Sequence, residues 1–323
     1  MKAVWRWLAL TPQHLVGVRV LEAAIGAALV FRGFTELPFA AYFWGPHGLG
    51  AGRPVTAPVL GWLVTEALET EIGATLLPLC VALAGAALVL GFRTRLACAA
   101  ALFLMVVMEQ RLPEIADGGD NVARLLLVYL LFALPAGATA PAGSLRVWAH
   151  NLGVVTVVAQ LVVLYLTSGF LKAFGERWHN GTALYYISQV EWFSLPGLRA
   201  LFQDPYLVTF AAYTTVAYQV MFPVAMVSRL KKLWILTGIC FHAGIAVFMG
   251  LVTFSTVMIG LELFLFTDHE FAELIAPLKR ILGGRRWTGS VRLRAPLREG
   301  VQLAVDVRQN LTQRLNELEK LQL

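Results

Sequence analysis

The sequence predicts an all-α fold, a polytopic membrane helix bundle with about eight transmembrane helices and a short cytoplasmic tail. Three observations predict it. Of 323 residues, 58% are hydrophobic and 14% charged, with mean hydropathy +0.68, whereas a soluble domain is nearer half apolar and a quarter charged. The apolar residues come in continuous runs approaching the ~20 residues of a spanning helix, without the alternation of a membrane barrel. The basic residues stand in short breaks between the runs, where the positive-inside rule puts them. That placement accounts for the net charge of +6. The expected partner is therefore the lipid bilayer, and no nucleic acid.

Residues 1–13 form a short amphipathic segment, with Lys2 and Arg6 among Trp5, Trp7 and Leu8, suited to the inner membrane surface. A first span covers 15–31. It is long, carries Arg19 and Glu22 and lacks a convincing cleavage site, so a cleavable signal peptide is not expected. Arg19 and Glu22 share a helical face, which reads as an ion pair or a contact to a neighbouring helix. Residues 33–70 are a long connection whose aromatics, Gly and Pro suit an interfacial or re-entrant segment. Spans at 71–91 and 95–109 flank a basic turn with Arg93 and Arg95. After an acidic loop ending in ADGGD, a fourth span at 121–134 stops at Pro135, and a small loop holds Arg146, Trp148 and His150. The fifth span, 152–174, carries Lys172 and opens into an aromatic loop at 175–205. Spans at 206–227, 233–250 and 253–266 complete the set, the first two separated by the basic turn SRLKK. From 269 the composition changes to an amphipathic tail, with helical spacing at Leu303, Val307, Leu311, Leu315 and Leu318. Its ~55 residues are too few for a catalytic domain. The division is 1–268 membrane domain and 269–323 tail.

With eight spans, Lys2, Arg6, Arg93, Arg95, Arg146, Arg229, Lys231 and Lys232 all fall on one side, and most loop acids on the other. This places both termini in the cytoplasm. It also puts Asp120 and Lys172 at the outer ends of their helices.

No P-loop, HExxH or GxSxG is present, and no GxGxxG stands in its proper context. Cys80, Cys98 and Cys240 have neither metal nor disulfide spacing and read as small buried hydrophobes; no metal is expected. What remains are ionisable groups at membrane depth, which are functional candidates. Lys172 either snorkels to water or serves as a desolvated base, with Trp178, His179 and Gly181 at the mouth of its site. His242 is a core histidine bonded to a neighbouring helix or a proton shuttle. Asp120 is a helix cap or a site carboxylate, and Arg124 lies on its face within pairing distance. Glu262 is a buried pair member or a site carboxylate. His14, His47 and His150 lie in or near loops.

YFWGPHGL (42–49), ADGGDNVARLLLVYLLFALP (116–135), SGFLKAFGERWHNGTALYYI (168–187) and FHAGIAVFMGLVTFSTVMI (241–259) occur in this order. Together they resemble the horizontally transferred transmembrane (HTTM) domain, the membrane part of vitamin K-dependent gamma-carboxylase, over about 15–268. The resemblance implies that Lys172 is the base that deprotonates a reduced quinone, a vitamin K-like hydroquinone. His242 and Asp120 are the further catalytic candidates, and Trp178, Gly181, Tyr185 and Glu262 the substrate-binding ones. The spacing from Lys172 to Trp178 is one residue longer than in the animal enzyme. A functional histidine of that enzyme matches Gly119 or Asp120 here, so its role does not carry over.

The animal enzyme's large lumenal domain, which holds its protein substrate, has no counterpart. The resemblance therefore implies quinol-dependent oxygenation or epoxidation, coupled to proton abstraction from an unknown acceptor, in a bacterial inner membrane. Outer-loop aromatics including Tyr185 and Trp192 would close the pocket. The alternative is a non-catalytic membrane scaffold or maturation partner for a membrane or secreted protein or peptide. Transport ranks last, since no inverted repeat is visible.

Overall fold

The computed structural model describes residues 2–56, 61–135, 138 and 140–281. Every regular element among them is helical. In chain order they are α1 (Lys2–Ala9), α2 (Leu15–Glu36), α3 (Ala40–Trp44), α4 (Gly61–Leu68), α5 (Glu71–Leu90), α6 (Thr94–Arg111), α7 (Gly118–Leu130) and α8 (Leu145–Phe174). There follow α9 (Glu176–His179), α10 (Ala183–Gln189), α11 (Pro205–Met226), α12 (Lys231–Met249), α13 (Val252–Phe264) and α14 (Asp268–Ile281). The tail beyond 281, including the helical spacing from Leu303 to Leu318, lies outside the described residues.

Four helices, α5, α8, α11 and α12, are long and apolar enough to cross a membrane. The other expected spans fall on α2, α6, α7 and α13. Two of these, α7 and α13, have 13 residues each, roughly 20 Å of helix against a hydrocarbon layer of ~30 Å. The remaining two carry charges: Arg19, Glu22, Arg32 and Glu36 on α2, and Arg95, Glu109 and Arg111 on α6.

The bundle is built around α2, which packs against α5, α7 and α13. Val18, Leu21, Ile25 and Leu29 bury a stripe at helical spacing. Small residues let α2 and α5 approach closely. A Cβ at Gly26 would lie 2.5 Å from the Gly85 carbonyl oxygen, one at Gly85 2.6 Å from that of Gly26, and one at Gly33 2.5 Å from that of Pro78. Position 26 meets 85 and position 33 meets 78, so the two helices run antiparallel.

The connections sort into two ends by their hydrogen bonds. At one end Asn151 Nδ2 donates to the carbonyls of Trp7, Leu8 and Thr11 at 3.2, 2.9 and 2.9 Å. Asp268 takes the first two free amides of α2, from Leu15 and Val16, at 3.1 and 2.8 Å, which caps a helix that has no side-chain cap of its own. Lys231 pairs with Glu270 at 2.8 Å. His150 corrects the expectation of a loop residue. It lies fully buried within α8, where Nδ1 accepts from Leu134 N–H at 3.0 Å and Nε2 donates to Gln13 O at 2.6 Å.

At the other end Asp117 caps α7 in a reciprocal box with Asp120. Arg53 pairs with Glu114 at 2.6 Å, and the hydrogen bond from Arg53 holds the Glu114 carboxyl below its ordinary value. Arg111, fully buried, reaches Glu69 at 2.9 Å. The connection at 175–205 has less free loop than its composition suggests, because α9, α10 and two 3-10 turns occupy most of it. Of the three cysteines, Cys98 is buried as expected, whereas Cys80 and Cys240 are exposed. Continuous apolar runs do not reveal which face turns outward.

Candidate functional site

Four helices each bring one polar side chain to a common buried point. These are Tyr165 from α8, Tyr218 from α11, His242 from α12 and Glu262 from α13, exposed by 1%, 4%, 2% and 0%. Glu262 Oε1 accepts from Tyr218 Oη at 2.8 Å and, in a short hydrogen bond, from Tyr165 Oη. Tyr165 Oη also lies 2.9 Å from His242 Nε2. The tyrosine has one proton and gives it to the carboxylate. His242 must then donate from Nε2, which leaves Nδ1 as a bare acceptor. Nδ1 has no partner, and neither has Glu262 Oε2.

Local sequence makes room for this contact. Gly238 stands one turn before His242 on α12. A Cβ there would lie 2.3 Å from Tyr218 Oη and 2.4 Å from Glu262 Oε1, so only glycine lets α12 close over the cluster. Aromatic rings wall it. The Phe222 ring centroid is 4.5 Å from that of Tyr165, Trp234 stacks on Tyr218 at 5.5 Å, and Phe254 stands edge-on to His242 at 5.6 Å. Among the described residues no cation pairs with Glu262, which is held by phenol hydrogen bonds alone. A buried carboxyl without a counter-ion is costly unless so bonded, and buried polar atoms left without partners call for an explanation.

The structure brings His242 and Glu262 together and leaves the other sequence candidates elsewhere. Lys172 is half-buried near the end of α8. Its Nζ donates to Ser168 Oγ at 2.5 Å and lies 5.3 Å from the Trp178 ring centroid. It stands two helical turns, roughly 10 Å, beyond Tyr165 on one face of α8. A ligand-sized apolar cavity lies between α10, α11 and α12, and Lys172 is not among its walls.

Asp120 belongs to a different network. Its Oδ1 meets Arg32 Nη1 at 2.5 Å, and Arg32 Nε meets Glu36 Oε1 at 2.7 Å. Arg124 does not pair with Asp120 as its position four residues on suggests; its ion pair is with Glu109 on α6. The α6–α7 contact brings that carboxylate nearer than the one on its own helix. Gly181 caps the turn after α9 at φ +77°, and a Cβ there would strike Thr209; backbone shape explains the glycine. Tyr185 is 39% exposed on α10.

Tyr165 and Tyr218 were not among the sequence candidates, because a tyrosine in an apolar run reads as core. The available signal was hydroxyl-bearing aromatics in two apolar runs, with a lone histidine and a lone glutamate in the two that follow.

Comparison with known proteins adds one relative. The chain is similar to the uncharacterized protein YitO of Bacillus subtilis (strain 168), 24% identical over 221 residues, covering 61% of this chain and 69% of that protein. No family model and no solved structure matches.

Proposed function

We propose that this chain is an eight-span membrane enzyme, with both termini cytoplasmic in a bacterial inner membrane, that moves protons to and from a lipid-soluble quinol. The observation that carries the reading is the Tyr165–His242–Glu262–Tyr218 cluster, three of whose members stand on helices long and apolar enough to span a bilayer. Ionisable groups at that depth mark proton or substrate pathways. The division of the connections into two hydrogen-bonded ends supports the eight-span count, in which α2, α6, α7 and α13 would cross the same layer as the four longer helices.

The quinol itself rests on the resemblance to the HTTM domain of vitamin K-dependent gamma-carboxylase. The residues around Lys172 fit such a ring: an amine positioned by Ser168 Oγ stands over the ring of Trp178. A bound quinol would supply an acidic hydroxyl and two electrons. Lys172 Nζ would take the hydroxyl proton, with Ser168 orienting the amine and Trp178 flanking the ring. Glu262 would exchange a proton with His242 through Tyr165, whose single hydroxyl touches both.

The test is aerobic turnover of reduced vitamin K and reduced native-type quinones by the purified protein, read as oxygen uptake and epoxide formed, with Lys172→Met and Glu262→Gln in parallel. Turnover by the native chain that falls by about 100-fold or more in Lys172→Met supports the base assignment. Equal turnover in the mutant removes it. A folded sample that turns over no quinol favours the second reading, a maturation scaffold, for which the exposed Tyr185 and Tyr186 on the outer segment offer a protein-facing surface.

A further inference from the structure

Helix α1 has eight residues, fewer than the about 12–15 that stand alone in water, so the bundle must hold it. Asn151, fully buried on α8, donates to the carbonyls of Trp7, Leu8 and Thr11 and accepts from Gln13 N–H at 2.9 Å. Gly143 N–H donates to Ala9 O at 2.7 Å. The Trp5 ring meets the Trp148 ring edge-on, with centroids 5.1 Å apart. A buried amide with this many partners fixes position, and what it positions is an outward apolar patch. Trp5 is 60% exposed, Leu10 50% and Leu145, in the first turn of α8, 84%; Trp7 is exposed too. The charge carried by these segments has one sign. Neither residues 1–21 nor residues 121–175 contain an aspartate or glutamate, and Arg6 and Arg146 are both exposed. At this end of the bundle Asp268 is taken up by the α2 amides and Glu270 by Lys231. Helix α8 is long and apolar enough to cross a bilayer, and α1 rests against its first two turns, before the apolar run begins at Leu152. That is the level at which a spanning helix passes from water into hydrocarbon, where tryptophan and arginine side chains meet headgroups.

We propose that α1 and the first turn of α8 form a preset platform for anionic phospholipid. Arg6 and Arg146 meet the phosphate-bearing headgroups, and Trp5, Trp7, Leu10 and Leu145 enter the boundary between headgroups and acyl chains. The apolar and basic side chains lie side by side in both segments, and an anionic lipid satisfies both, whereas an acidic protein segment would satisfy only the arginines. The platform does not depend on the quinol reading.

Leu10, exposed just past the end of α1, takes the reporter. The full chain carries Leu10→Cys labelled with bimane, in a background of Cys80→Ser and Cys240→Ser, and is reconstituted into nanodiscs. The probes are phosphatidylglycerol and phosphatidylcholine, each with a nitroxide near the top of one acyl chain, which quenches a bimane at that depth. The expected result is quenching by both lipids, with phosphatidylglycerol preferred about fivefold or more at the labelled site. The preference should shrink as salt rises to about 1 M, and should fall to near one in Arg6→Gln with Arg146→Gln, whose melting temperature serves as the folding control. Failure of either lipid to quench leaves the label in water and overturns the platform. Equal quenching by the two lipids overturns the anionic headgroup. A preference unchanged in the folded double variant overturns the two arginines as its source. Should the double variant melt early, the salt series on the native arginines decides, and a preference indifferent to salt overturns the charge pairing.

Discussion

Tyr165 is the hinge of the buried cluster, because its one hydroxyl touches both His242 and Glu262. Tyr165→Phe keeps the ring against Phe222 and removes the hydroxyl. It should cost about 1–3 kcal/mol of stability, the usual penalty for stranding buried polar partners, seen as a lower melting temperature in detergent. A melting temperature within a degree of the native one would mean that the cluster is already water-bridged. Gly238→Ala tests the same point from the other side. Its methyl falls on Tyr218 Oη and Glu262 Oε1, and overpacking of this kind costs about 1–3 kcal/mol. Lys172 is legible in the sequence as a lone cation at a helix end, and its Ser168 and Trp178 partners are local. The cluster was only half legible. His242 and Glu262 stand out as ionisable groups in apolar runs, but the tyrosines that join them lie 77 and 44 residues away and look like ordinary core.

At the scale of elements, the α2–α5 contact depends on Gly26 and Gly85 facing each other's carbonyls. Gly26→Leu should force the helices apart and lower stability by about 1–3 kcal/mol, measurable by thermal unfolding, while Gly197→Leu, which meets open space, should leave it unchanged. Attachment of α14 has a pH dependence. Burial raises the Glu270 carboxyl, but hydrogen bonds from Lys231 and Thr267 outweigh it and hold the group below its ordinary value. Lys232 lowers Glu273 in the same way. Groups depressed in the folded state stabilise it above their unfolded values and lose that contribution as the pH falls through their folded ones. Amide exchange of residues 268–276, corrected for intrinsic rates, should therefore quicken below about pH 4 relative to pH 7. Unchanged protection would show that Phe271 packing holds α14 by itself.

For the whole molecule, the eight proposed crossings would put the turn at 228–230 and the segment at 175–181 on opposite faces of the membrane. Single cysteines at Ser228 and Asn180, in a background freed of Cys80 and Cys240, should label from opposite sides of sealed vesicles with an impermeant maleimide. Labelling from one side would remove at least one crossing. The all-helical architecture was open to the sequence because apolar run length and loop charge are local properties. Helix ends were less so. The helix α8 begins at Leu145, seven residues before the apolar run, because Ser144 caps it and His150 and Asn151 find carbonyl partners in the first segment of the chain.

The sequence by itself determined the all-helical fold class and the short roll of ionisable groups within apolar runs. These follow from solvation, which each segment meets alone. Tertiary structure decided which groups meet. It sent Asp120 to Arg32 and Arg124 to Glu109, left Lys172 with Ser168, and gathered Tyr165, Tyr218, His242 and Glu262 around Gly238. Partner choice depends on how closely helices distant in sequence approach, and that distance is set by small residues whose role appears only when both helices are in place.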